Sequence, residues 1–196
     1  LAVRFFKVTH TIPDSMGIII ETPYGGIVHT GDLKLDHEKG VPTPEEILEY
    51  KKFDKEKTLL LMADSTNCQK PGFSIPEPTV HDTIEKLIKE AHGRVIVATF
   101  SSLLERLIKI IEFADKHNRK VVIDGRSMKT NIEICKHLGL LKPKKDTLIS
   151  SEEMEHFPPE RIVILATGAQ GDEFAAMMRM SNKTHKNIKI TKRDTV

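Results

Sequence analysis

Short apolar runs interrupted by Pro, Gly and Asp fill the first thirty positions. Residues 3–8, 17–22 and 26–30 read as strands, and Pro23 with Gly25 and Gly26 reads as the hairpin turn between the second and third. Ile18, Ile19 and Ile20 read as buried strand. From 36 to 57 the chain becomes charged, and Thr43, Pro44 and Glu46 stand in the order that opens a helix. Thr43 supplies a cap, Pro44 fits the first helical position and Glu46 closes a capping box, which predicts a helix to about Phe53. A strand over 58–62 runs into Ala63-Asp64-Ser65-Thr66-Asn67, and the prolines around Gly72 mark a linker.

Beyond Glu77 the apolar period changes. Val80, Ile84, Leu87, Ile88 and Ala91 recur at helical spacing over 79–91. Strands over 95–99, 121–123 and 161–166 then alternate with helices over 103–117, 129–138 and 173–180, with an irregular stretch around Pro143, Pro158 and Pro159. Strands alternating with helices predict a parallel, doubly wound sheet. The expected organisation is therefore a β-rich unit over 1–75 and an α/β unit over 76–196.

Composition bounds this picture without changing it. The 196 residues are 39% hydrophobic, enough for a packed core, and the formal net charge is only +2. No global basic field marks a nucleic-acid binder, so any such binding must come from a local patch. Cys68 and Cys135 are far apart and form no metal-binding or disulfide pattern, which fits a reducing cytoplasm. No apolar stretch reaches the length of a membrane span. Aromatic residues make up 5% of the chain, leaving few platforms for base stacking.

Candidate chemistry gathers where predicted strands end. His10 and Asp32 each follow an apolar run, and the hairpin between them brings those ends together. An imidazole and a carboxylate converging at a sheet rim suit a divalent transition metal such as zinc. The alternatives are a loop histidine satisfied by backbone groups and a turn carboxylate after Gly31. His29 points to the face opposite Thr30 and reads as packing beside the site. In the second unit, Phe100-Ser101-Ser102 and Thr167-Gly168-Ala169-Gln170-Gly171 follow strands, where loop and helix N–H groups can cradle a phosphate. Equally, Ser102 could cap its helix and the glycines could simply turn the chain. Met177, Met178 and Met180 read as core filler. Lys142, Lys144 and Lys145 read as a solvated loop, while Arg106, Arg119, Lys120 and Arg126 are candidates for a phosphate-tracking groove.

The strings T-H-T-I-P-D-S-M-G at 9–17 and E-T-P-Y-G-G-I-V-H-T-G-D-L-K-L-D at 21–36 resemble the metallo-β-lactamase superfamily, in its β-CASP branch and ribonuclease J. A-D-S-T-N at 63–67, V-A-T-F-S-S at 97–102, G-R-S-M at 125–128 and L-A-T-G-A-Q-G-D-E at 165–173 agree in order, so the resemblance covers nearly the whole chain. It implies the C-terminal part of an αββα metallo-β-lactamase fold followed by a β-CASP domain with a mostly parallel sheet flanked by helices. It further implies a zinc-dependent ribonuclease with two zincs per site, held in part by His10 and bridged by Asp32. Asp64 takes the position of the first β-CASP motif as a catalytic carboxylate. Ser102, Leu103, Leu104, Gly168, Gln170 and Gly171 lie where the family holds substrate. RNA is the implied partner, self-association into a dimer or tetramer the implied state, and the cytoplasm the implied location. Leu103 and Glu105 stand where the family shows Asn and His, which removes two phosphate donors, and Ala169 replaces a Ser. The family's H-x-H-x-D-H cluster does not occur in the chain, which therefore reads as an internal piece of a longer enzyme. A degenerate RNA-binding relative and a small-molecule metallo-hydrolase are the two other readings.

Overall fold

The computed structural model describes residues 1–53, 57–171, 173 and 175–196. Its chain divides into two compact units, Leu1–Glu77 and Pro78–Val196.

The first unit is built on a four-stranded sheet. β1 (Ala2–Lys7), β2 (Met16–Thr22) and β3 (Gly25–His29) form an antiparallel meander, and β6 (Thr58–Met62) adds in parallel beside β3. A two-stranded ribbon, β4 (His37–Glu38) and β5 (Val41–Pro42), lies outside the predicted elements. Helix α1 (Pro44–Lys51) starts as the capping pattern requires, with the Glu46 N–H donated to the Thr43 hydroxyl at 3.4 Å. Phe6, Val8, Ile19 and Val28 form the core on one face of the sheet, against Leu33, Tyr50 and Phe53. Alternation places only Ile19 of the three isoleucines there. Ile18 is 39% exposed and Ile20 intermediate, so the expectation of a continuously buried run holds for one residue in three.

The second unit carries a four-stranded sheet in the order β7 (Val95–Ala98), β10 (Ile162–Ala166), β8 (Lys120–Asp124), β9 (Leu148–Ile149), all parallel. Every residue of β10 is buried, as a central strand covered on both faces requires. On one face α2 (Glu77–Glu90), α3 (Leu104–Lys116) and α4 (Arg126–His137) pack through Ile88, Leu107, Ile110, Ile111, Met128 and Ile132. The other face is covered by α5 (Ala176–Ser181), Met154 and Ile188. Met180 is fully buried there and Met177 packs beside it, while Met178 is intermediate. The α/β class and the parallel sheet are as predicted. β9 and two short 3-10 turns occupy the stretch read as irregular. The helix expected over 173–180 begins only at Ala176, and Phe174 of that span and Asp172 before it lie outside the described residues.

No helix among the described residues is long and apolar enough to cross a membrane.

Candidate active site and nucleic-acid loops

In the first unit, parallel pairing of β3 with β6 sets His29 beside Met62, so the residues after each strand emerge together. The Thr30 N–H reaches the Met62 carbonyl at 3.0 Å, and the Thr30 hydroxyl accepts the Asp64 N–H at 3.0 Å while donating to the Gly31 carbonyl at 2.7 Å. Asp64 in turn accepts the Leu33 N–H at 3.1 Å and the Thr66 N–H at 2.8 Å, one on each carboxylate oxygen. The Lys34 N–H closes on the Thr9 carbonyl at 2.7 Å, tying the loop that carries Asp32 to the one that carries His10.

This lattice brings His10 Nε2 to 3.9 Å from Asp32 Oδ2. Two ligands of one tetrahedral zinc sit roughly 3.4 Å apart, given metal–ligand bonds of about 2.1 Å. The His10 side chain is 30% exposed and that of Asp32 is 85% exposed, so the carboxylate stands outward. His10 Nδ1 is buried and has no hydrogen-bond partner, a deficit of about 1–3 kcal/mol that a bound ion or its ligand shell can offset. Imidazole and carboxylate are the right donors for a borderline divalent ion, and the pair fits as two members of a ligand set. Among the described residues no group of three His, Cys, Asp or Glu is placed to hold a metal.

Hydrogen bonds from the Thr66 backbone and hydroxyl and from the Leu33 N–H, with a smaller effect of His10, hold the Asp64 carboxyl below the usual carboxylate range. Asp64 is thus a fixed anion that shapes the Asp32 loop. His29 is exposed and accepts the Gly31 N–H at Nδ1, 2.8 Å away, supporting the same turn.

In the second unit, Ala98 pairs with Ala166, so the loop 99–103 and the loop 167–171 leave adjacent strands side by side. Ser101, Ser102, Leu103 and Leu104 are all partly buried. Ser102 does not cap α3. Leu103 holds the cap position without a side-chain hydrogen bond, and Leu104 leans on the helical core. Gly168 and Gly171 have φ of +112° and +79°, which favour glycine, and a Cβ on Gly168 would meet that of Ala175 at 2.7 Å. Gln170 and Gly171 are exposed. Because α5 starts at Ala176, the glycine loop is not its first turn, and any phosphate contact there comes from the loop itself.

Of the cations considered for a groove, Arg119 is 5% exposed and donates to the Ala91 and Gly93 carbonyls, so it closes the end of α2 instead. Lys120 reaches the Asp146 carbonyl at 2.6 Å. Arg126 does face open space, in a cleft beyond β8 and β10 that also contains Asp124. The strand-then-Asp-Gly pattern of V-V-I-D-G was the available signal for that cleft. The pairing of Asp124 with His185, 61 positions away, has no sequence signal at all.

A parallel sheet whose strand-end loops gather on one edge, preceded by a β-rich unit with an imidazole–carboxylate pair, is the arrangement that the β-CASP resemblance implies. Residues 92–196 match the family model for the ribonuclease J β-CASP domain. Over 194 residues the chain is 38% identical to ribonuclease J of Corynebacterium glutamicum, an alignment covering 99% of this chain and 27% of that protein. It is 39% identical to ribonuclease J 1 of Streptococcus pyogenes, covering the whole chain and 35% of the relative, and 40% identical to ribonuclease J of Thermus thermophilus, covering 97% and 33%. The chain belongs to the ribonuclease J family. It spans about a quarter to a third of the length of these curated relatives. A crystal structure of a protein of unknown function from Enterococcus faecalis shares the fold, with a TM-score of 0.58 at 22% identity over 83% of this chain and 40% of that one.

Proposed function

We propose that this chain is part of a zinc-dependent ribonuclease that hydrolyses RNA phosphodiester bonds, with residues 1–75 belonging to a metallo-β-lactamase domain and 76–196 to its β-CASP domain. The observation that carries the reading is the His10–Asp32 pair, 3.9 Å apart on loops locked by the Thr30–Asp64 hydrogen bonds, in a chain of this family. His10 and Asp32 would hold metal as two members of a larger ligand set. Bound there, zinc supplies a water acidic enough to attack phosphorus and neutralises charge on the leaving oxygen.

The residues of this chain provide the frame. Asp64 keeps the Leu33 turn closed so that Asp32 is presented outward, and Thr30 anchors Asp64 from the neighbouring strand. Ser102, Leu103 and Leu104, with Gly168, Gln170 and Gly171, line the RNA backbone at adjacent strand ends. With Leu103 and Glu105 in place of two donors, this loop grips a terminal phosphate weakly and relies on the strand as a whole. Self-association in the complete protein and a cytoplasmic location belong to the same reading.

His10→Ala and Asp32→Ala in the complete protein are expected to lower RNA cleavage by at least about a hundredfold while RNA affinity, read by gel shift, changes less than about threefold. Joint loss of cleavage and binding would make the two residues structural and the assignment wrong.

A further inference from the structure

In open parallel sheets, ligands bind where neighbouring strands send their connections to opposite faces. β10 meets that condition twice. β7 and β8, on either side of it, lead into α3 and α4 on one face, while β10 leads to α5 on the other. The β7–β10 crevice holds the loops already described. The β8–β10 crevice opens into a cleft of about 680 Å³ lined by Asp124, Gly125, Arg126, Ser127, Lys129, Thr167 and Arg179, a size suited to one small ligand.

Its floor is built. A Cβ on Gly125, at φ +130°, would lie 2.6 Å from Thr167 Cγ2, so only glycine lets the two strand-end loops approach this closely. Asp124 is held from behind. The backbone N–H groups of Asn187 and Ile188 both donate to His185 Nδ1, at 3.2 and 3.0 Å, which places the imidazole proton on Nε2. That proton points at Asp124 Oδ2, and Arg179 stands 3.7 Å from Oδ1. The His185 side chain is only 9% exposed and that of Asp124 16%. The locked imidazole holds the carboxylate in place from one side, leaving it lone pairs to spare for a ligand.

Among the described lining residues, Arg126, Lys129 and Arg179 bring three cations to the cleft against one carboxylate, Asp124, which Arg179 already faces. A bare phosphate would be attracted by the cations and repelled by Asp124. A ligand with a phosphate and a hydroxyl donor a few ångströms apart satisfies both, and a ribonucleotide of an RNA strand has that arrangement. We propose that the β8–β10 cleft binds one nucleotide unit of RNA, Arg126 and Lys129 taking the phosphate and Asp124 accepting the ribose 2′-hydroxyl, with His185 as its positioning residue. The site thereby distinguishes RNA from DNA. This inference rests on the RNA-processing reading above.

The test is fluorescence-anisotropy titration of the complete protein with a short RNA and the DNA of the same sequence. The unmodified protein is expected to prefer RNA. Asp124→Ala, and Asp124→Asn as the shape-keeping variant, should each weaken RNA binding about tenfold and leave DNA binding within about twofold, so that the preference shrinks. His185→Ala should do the same more weakly. Arg126→Ala should weaken both polymers alike and lower the salt slope by about one. An unchanged RNA-to-DNA ratio in Asp124→Asn, or equal losses for both polymers, overturns the 2′-hydroxyl assignment while leaving the ribonuclease reading intact. An unmodified protein that binds no RNA overturns both.

Discussion

Asp64 has both carboxylate oxygens engaged by backbone N–H groups, and its own N–H rests on a buried threonine. One role these bonds give the residue is to close a turn. Its hydrogen bonds favour the charged form, so its contribution is fully present above the ordinary carboxylate value of 3.8 and is lost as pH falls through its lower folded value. Hydrogen exchange should show the Leu33 and Thr66 amides still protected at about pH 5 and losing protection only in stronger acid. Protection lost already near pH 5 would mean that the carboxylate is not the clasp. Thr30 is 4% exposed, and Thr30→Val keeps its shape while stranding the Asp64 N–H. Chemical denaturation should show a loss of about 1–2 kcal/mol; no change would mean that water replaces the hydroxyl. His10 and Asp32 stood out in the sequence because each follows an apolar run, and Asp64 because of the family resemblance. That they share one lattice through Thr30 and Leu33 depends on β3 and β6 being parallel neighbours, with 28 residues between them, which no local pattern encodes.

At the scale of elements, the sequence was readable wherever a periodic run met a chemical stop signal. Thr43, Pro44 and Glu46 announced α1, and the isoleucine and leucine spacing announced α2 and α3. Elements of two residues, such as β9, are too short for any period, and they exist because a neighbouring strand offers them hydrogen bonds. Near the end of the described chain, Thr195 pairs in isolation with Val95, fastened by a bidentate contact from Arg94 to Asp194 at 2.8 and 2.6 Å. Burial pushes the Asp194 carboxyl up, but the Arg94 hydrogen bonds and the Thr191 N–H outweigh it and leave the group below its usual range. With Asp194 2% exposed, Asp194→Ala leaves Arg94 without its carboxylate partner and should cost about 3 kcal/mol in a denaturant titration. A cost below about 0.5 kcal/mol would show that the tail is only loosely applied.

The molecule as a whole is two compact units, each presenting its chemistry where parallel strands end. Nothing in the net charge of +2 points to RNA, and the case rests instead on family membership and on local arrangements: an imidazole–carboxylate pair in one unit, loops and a cationic cleft in the other. Metal dependence is the claim that joins them. The most direct test is the rate of RNA cleavage by the complete protein before and after chelation of its metal, and again after zinc is restored. The ribonuclease account predicts loss of cleavage on chelation, recovery with about two zincs bound per chain, and no recovery in Asp32→Ala. RNA cleaved at an undiminished rate by the metal-free protein would contradict it.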